Sequence, residues 1–299
     1  MAICLILLPL VGTFLLFPDN AYAWGPATHL HIGIEVLRYL SALKEAPGGL
    51  LLNYPYAYLY GCIGADIIFA KGLAKLHEHS HSWHVGLDVL EEASSPSQRA
   101  FAYGYLSHLA ADSIAHNYFI PEQIIKTYAT KTLRHLYWEV RFDTHARKGC
   151  CSLALDVARS HSPENDELLE KVVRRTLFSF RTDRKIFHSL LVLNRMKQWQ
   201  KMLATLSTTS AWKLSPQEVE RYNRRSVISS LDFLTHHVHA SCLLMDPMGK
   251  DILLSAKCVR KNLRILSKKG RLTPELYTRL VSSLHSDAVS SATHLSPMT

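Results

Sequence analysis

Apolar positions along this chain recur three and four residues apart rather than every second residue. Helical spacing of this kind runs through 28–43, 85–94, 97–117 and 121–148. It continues in four longer stretches, 163–180, 184–207, 215–242 and 250–268. The start signals agree. Ser162-Pro163, Ser215-Pro216 and Thr273-Pro274 each set a capping residue before a Pro suited to the first helical position. Ser215 with Glu218 has the spacing of a capping box, and Gly270 is placed as a helix stop. Alternating β-branched runs and Asn-Gly hairpins are missing from the sequence. The pattern predicts an all-α protein, a multi-helix bundle with a helical C-terminal extension packed on it.

The first residues break this pattern. Residues 2–17, AICLILLPLVGTFLLF, are almost wholly apolar but fall short of the ~20 residues that span a bilayer. Ala21-Tyr22-Ala23 has the small-x-small form that signal peptidase accepts, although no Lys or Arg precedes the apolar run. The expectation is a signal peptide over 1–23, a mature chain beginning at Trp24 with a free α-amine, and a secreted or periplasmic product. A hydrophobic content of 47% over 299 residues supports a well-buried folded chain.

Charge divides the remainder. Residues 24–160 carry 12 Lys and Arg against 12 Asp and Glu, whereas residues 161–299 carry 22 against 12. The division suggests a core at 24–160 and a basic helical region at 161–299. Runs such as RRTLFSFRTDRK (174–185) and RKNLRILSKKGR (260–271) can attract phosphate-rich partners or anionic lipid. The ordinary role of such runs is a solvated helix face. The mature chain keeps five cysteines, with Cys150 and Cys151 adjacent and no CxxC spacing, so nothing points to a thiolate zinc site.

Histidine carries the candidate chemistry. Nine of the 17 His fall between His29 and His135. His108, Asp112 and His116 stand four apart in YLSHLAADSIAHNYF, so on a helix they share one face inside an apolar segment. His135 and Glu139 repeat the i, i+4 device. His77, His79, His81 and His84 form a further cluster, and Asp66 stands in the small, apolar stretch YGCIGADIIFAKG. A single His-x3-Asp pair is ordinarily a surface pair or a core hydrogen bond. Together the imidazoles and carboxylates exceed one tetrahedral site and suit two or three zinc ions, one carboxylate bridging two of them. A free Trp24 amine can chelate a metal with its own carbonyl, and His29 is close enough to turn back to the same ion.

These elements resemble the zinc-dependent phospholipase C family, which shares its fold and trinuclear site with the single-strand nucleases. The Trp-Gly start with His at the sixth mature position looks like the nuclease branch. GADII, HSHSWHVG, GYLSHLAADSIAHNYFIP and the His135/Glu139 pair look like the phospholipase branch. The resemblance covers residues 24 to 145 and implies a hydrolase with three Zn2+. Trp24, His29 and Asp112 would hold one. Asp66, His81, His108 and the bridging Asp112 would hold the second, and His116, His135 and Glu139 the third. Asp66 would double as catalytic base. His79 and His84 lie in the same register as His81, which the resemblance favours. His31 and His77 would lie behind the ligands or at the surface.

The implied reaction is phosphodiester hydrolysis, above all of phospholipids to diacylglycerol and a phosphorylated head group. Choline-specific members carry an acid near the N-terminus and a Tyr after the Asp. Here Pro26, Ala27 and Thr28 occupy the first place and Ile67 the second. Two alternatives remain open: a nuclease or nucleotidase on the same zincs, with nucleic acid as partner, and a non-catalytic zinc-stabilised envelope protein. Trp83 could stack on a base or lipid, or simply pack in the core.

Overall fold

The computed structural model describes residues 24–43, 47–68, 79–130, 135–160, 163–173 and 179–282. The expected leader, His77 and the expected cap Ser162 lie outside these. The helices are α1 (Pro26–Leu43), α2 (Gly48–Asn53), α3 (Pro55–Gly61), α4 (Trp83–Glu91) and α5 (Pro96–Ile114). A single π-helical turn, Ala115–Phe119, leads into α6 (Ile120–Lys126). There follow α7 (His135–Asp143), α8 (Cys150–Arg159), α9 (Pro163–Val172), α10 (Phe180–Arg195), α11 (Lys197–Thr209), α12 (Pro216–His236) and α13 (Lys250–Lys268). Residues 274–282 are helical too, and no strand occurs among the described residues. The fold is all-α.

The organising element is α5. Ser95 starts it with a full capping box, its hydroxyl taking the Gln98 N–H while the Gln98 side chain returns to the Ser95 backbone. From Ala100 to Ile114 every residue is buried, as befits a helix surrounded on all sides. Helices α3, α4 and α12 pack around it. Against α3 the contact is backbone to backbone. A Cβ on Gly61 would stand 2.0 Å from the Phe101 carbonyl, and one on Gly104 2.0 Å from the Tyr58 carbonyl. Only glycine fits at either place. On another side, Ser229 and Ser230 of α12 donate to the carbonyls of Ala110 (2.8 Å) and Ser107 (3.1 Å). Small side chains thus hold two neighbours close to the stretch of α5 that carries His108 and Asp112.

Several expected helices are shorter than the apolar spacing implied. The 97–117 stretch gives way at Ala115 to the π turn, just ahead of Pro121, which has no N–H for the helical ladder. The 121–148 stretch is two helices, with 131–134 outside the described residues. The 163–180 stretch ends at Val172, and Ser179 caps a new helix by accepting from the Thr182 N–H. The 184–207 stretch breaks at Met196, whose ψ of 128° is extended. The 215–242 stretch ends at His236, before His237 with φ of 50°. Ser215 caps α12, but the Glu218 carboxylate turns instead to Lys126 and Gln123, so the capping box is half formed. Packing against neighbours overrides periodicity at each of these points.

Candidate metal centre

The candidate side chains arrive on several different elements. His29 comes from the first turns of α1, Asp66 from a 3-10 turn at Gly64–Ile67, and His81 from the residues just before α4. His108 and Asp112 stand one turn apart on α5, His116 lies in the π turn, and His135 and Glu139 share one turn of α7. All are buried except His135, which is half-buried. The π turn alters the rotation per residue just where His116 falls. His116 therefore meets His135 edge to face, with ring centroids 4.9 Å apart.

Two clusters result. In the larger, His29 Nε2 lies 3.1 Å from Asp112 Oδ1. His81 Nε2 lies 3.2 Å from Asp66 Oδ1 and 3.4 Å from Asp112 Oδ2. His108 Nε2 lies 3.2 Å from Asp112 Oδ2 and 3.1 Å from His81 Nε2. In the smaller, His135 Nε2 lies 3.0 Å from Glu139 Oε1, and His116 completes the group. Donor atoms of His29, Asp66 and His108, of His81, His108 and Asp112, and of His116, His135 and Glu139 fall within 4.8 Å of one another in each set. Ligand atoms around a tetrahedral zinc with bonds of ~2.0–2.2 Å stand roughly 3.3–3.6 Å apart. The observed separations are close to that edge.

The polar atoms also need a partner. Nε2 of His29, His116 and His135, and both oxygens of Asp112, are buried and, beyond the close pairs they form within the clusters, make no well-aligned hydrogen bond among the described residues. Such burial costs several kcal/mol unless a cation completes the set, of the order found for one unpartnered ion. The far nitrogens show which way the rings face. His108 Nδ1 donates to the Cys62 carbonyl (2.9 Å), and His116 Nδ1 donates to the Pro247 carbonyl (2.5 Å). His81 Nδ1 pairs with Ser80 Oγ (3.2 Å). Those outer partners fix each ring so that Nε2 points inward, as metal-ligating imidazoles require. The residues fit zinc.

Electrostatics divides the clusters. Burial opposes protonation of His108, but the carboxylates of Asp112 and Asp66 outweigh it and raise its pKa. Burial also opposes ionisation of Asp112, yet His108 and His29 hold it well below the carboxylate range. Burial, reinforced by His108, lowers His29. Burial, reinforced by His116 and Lys257, holds His135 well below the ordinary imidazole value.

The remaining candidates are placed as follows. Trp24 is buried, donates its indole N–H to the Ala111 carbonyl (3.1 Å) and packs on Phe142 and Phe119. Its indole therefore sits beside the turn of α5 bearing Asp112. His79 accepts the His81 N–H at 3.1 Å and supports that residue from behind. His84 is exposed and faces Asp88 at 3.9 Å. His31 accepts the Arg147 N–H (3.2 Å). Trp83 stacks on Phe233 and donates to the Met245 carbonyl (2.8 Å), a packing role. Sequence reasoning missed the carbonyls of Cys62 and Pro247, which leave no trace in side-chain pattern. It also missed Asp143, half-buried at the end of α7, where it accepts from the Thr28 N–H (2.8 Å) and hydroxyl (2.9 Å) at the start of α1. Burial pushes its pKa up to about 6.

Fold and site together define a helical metalloprotein with a histidine–carboxylate centre and no thiolate in it. The family model for zinc dependent phospholipase C matches residues 28–187, just over half of the chain, and the chain belongs to that family. Neither a curated protein nor a solved structure matches it. The match ends inside α10, before α12 and α13. No described helix is long and apolar enough to cross a membrane.

Proposed function

We propose that this chain is an exported phospholipase C, cutting phospholipids on the glycerol side to release diacylglycerol and a phosphorylated head group. The carrying observation is the pair of buried clusters whose donor atoms stand at zinc-ligand spacing, with Asp112 touching His29, His81 and His108 in the larger one. In this reading Trp24, through its liberated amine and carbonyl, would join His29 and Asp112 around one zinc. Asp66, His81, His108 and Asp112 would hold a second, and His116, His135 and Glu139 a third. Zinc so held supplies neutralisation of the phosphodiester and activation of water.

The chain's own residues do the rest. Asp112, kept anionic, holds His29 and His108 at its two oxygens. Asp66 takes up a proton at a carboxylate oxygen; its burial beside His81 keeps bulk water from competing. Ile67 is fully buried and Gly64 and Ala65 are small and apolar, which argues against a cation-holding pocket and strict choline preference. The basic excess after residue 160 favours anionic surfaces, each Lys or Arg near such a surface contributing ~1 kcal/mol. That same excess, with the Trp-Gly start, also suits single-stranded nucleic acid, which is the second reading.

A substrate panel tests both. Protein beginning at Trp24 and loaded with zinc is expected to release water-soluble phosphate esters from mixed liposomes. Release should be faster with anionic lipid and slower at high salt. Degradation of single-stranded DNA with every phospholipid left intact would establish the nuclease reading instead. Full zinc occupancy with turnover of neither class would leave a zinc-stabilised envelope protein.

A further inference from the structure

We propose that residues 245–249, beyond the family-matched region, are a positioning clamp that gives the third ligand group its metal affinity. The inference rests on His116, His135 and Glu139 being a zinc site. Four observations carry it.

First, the Pro247 carbonyl takes the Nδ1 proton of His116 at 2.5 Å. That contact alone sets which nitrogen of His116 is left for the group, because a neutral imidazole has one donor and one acceptor. Second, the carbonyl is itself held. Asp246 folds the segment over, Oδ1 accepting the Met248 N–H and Oδ2 the Lys250 N–H, both at 3.0 Å, while its carbonyl accepts the Gly249 N–H at 2.9 Å. Third, the segment is tied down on both sides of the site. Asn117, next to His116, donates to the carbonyls of Asp246 and Ser113, each at 2.8 Å. Trp83, two residues after His81, donates to the Met245 carbonyl. Fourth, Gly249 lies directly on His116. Its φ is +54°, and a Cβ there would come 2.6 Å from the His116 carbonyl and 2.7 Å from its Cβ.

A ring held by one backbone carbonyl is only as well placed as that carbonyl. Outer partners of metal-bound histidines are worth 10–100-fold in affinity. The segment between α12 and α13 therefore positions His116 without touching metal, and it couples docking of the C-terminal helices to occupancy of the third group.

The test uses the full processed chain. Zinc per chain is counted by native mass spectrometry, and the third affinity is measured by competition with a chelator. Asp246→Ala, which removes both turn acceptors, is expected to weaken one zinc by roughly 10–100-fold and leave the other two in place. Gly249→Ala should do the same by pressing on His116. Asp246→Asn, which keeps one acceptor oxygen, should fall between. Thermal unfolding of the metal-free Asp246 variants separates positioning from plain destabilisation: positioning leaves those curves close to wild type, whereas Gly249→Ala, strained at its positive φ, is read by zinc affinity alone. Full-affinity zinc in Asp246→Ala and Gly249→Ala would overturn the clamp while leaving the metal reading intact. Equal weakening of all zincs, with lower metal-free stability, would also overturn it, in favour of a structural loop. If wild type holds no zinc that Glu139→Gln can dislodge, the zinc site and the clamp fall together.

Discussion

His81 and His108 face each other with their Nε2 atoms 3.1 Å apart, one from the residues before α4 and the other from the middle of the buried α5. His108 already donates its Nδ1–H to the Cys62 carbonyl. Either a proton or a cation must sit between the two rings. His108→Ala is expected to weaken zinc in the larger cluster by on the order of 100-fold or more, since the outer partners alone are worth 10–100-fold. Equilibrium dialysis against a chelator reads this, and unchanged zinc content would remove the cluster from consideration as a metal site.

Asp112 and Glu139 should behave differently. Asp112 touches His29, His81 and His108, whereas Glu139 lies 3.0 Å from His135 in the smaller cluster. Asp112→Asn is expected to release two zincs and Glu139→Gln only one. Metal analysis of both variants checks the map, and an identical loss in each would contradict it.

Acid should act first on the larger cluster. The His108 pKa is raised, so zinc must displace a proton there, and affinity falls as pH drops through a value above the ordinary ~6.5. His135 is depressed and already neutral, so its group keeps zinc to lower pH. In metal-free protein, the depressed His29 and His135 add stability above about pH 6.5 that is lost as pH falls through their folded values. The raised His108 acts in the opposite sense. Calorimetric zinc titrations in two buffers of different ionisation enthalpy count the released protons. Release that is the same in wild type and His108→Ala would refute this account.

Much of this arrangement was legible beforehand because it rests on local spacing. His108 with Asp112, and His135 with Glu139, need only one helical turn to converge, and the motif order supplied the partners from α1 and the 64–67 turn. Helix limits were less legible, since Met196 and Ser179 interrupt apolar patterns that continue across them. Least visible were the orienting groups. Cys62 and Pro247 act through carbonyls, which every residue possesses, so only the fold reveals which ones are used.

The α3–α5 crossing can be tested on its own. Gly61→Ala would drive a methyl into the Phe101 carbonyl. Overpacking of this kind costs about 1–3 kcal/mol or somewhat more, and roughly 2–4 °C of Tm per kcal/mol is expected for a chain near this size. Zinc affinity should drop with it, because the Cys62 carbonyl follows Gly61. A thermal scan with no shift would show that the helices can separate freely.

Trp24 makes a claim about processing. Its ring is fixed by Ala111, Phe119 and Phe142, so a few extra residues before it should leave the fold intact. They would block the α-amine, however. Such an extended chain is expected to bind one zinc fewer and to lose most activity. Equal zinc content in the extended and trimmed proteins would exclude the amine as a ligand.

The Pro247 carbonyl lies 131 residues after His116. A ribosome adding ~5–20 residues per second needs about 7–26 s to cover that distance. Throughout that interval His116 can carry its proton on either nitrogen, and any zinc it meets could be caught in the wrong orientation. In the proposed zinc protein, the order of synthesis therefore favours filling the His116, His135 and Glu139 group only after Pro247 has been made.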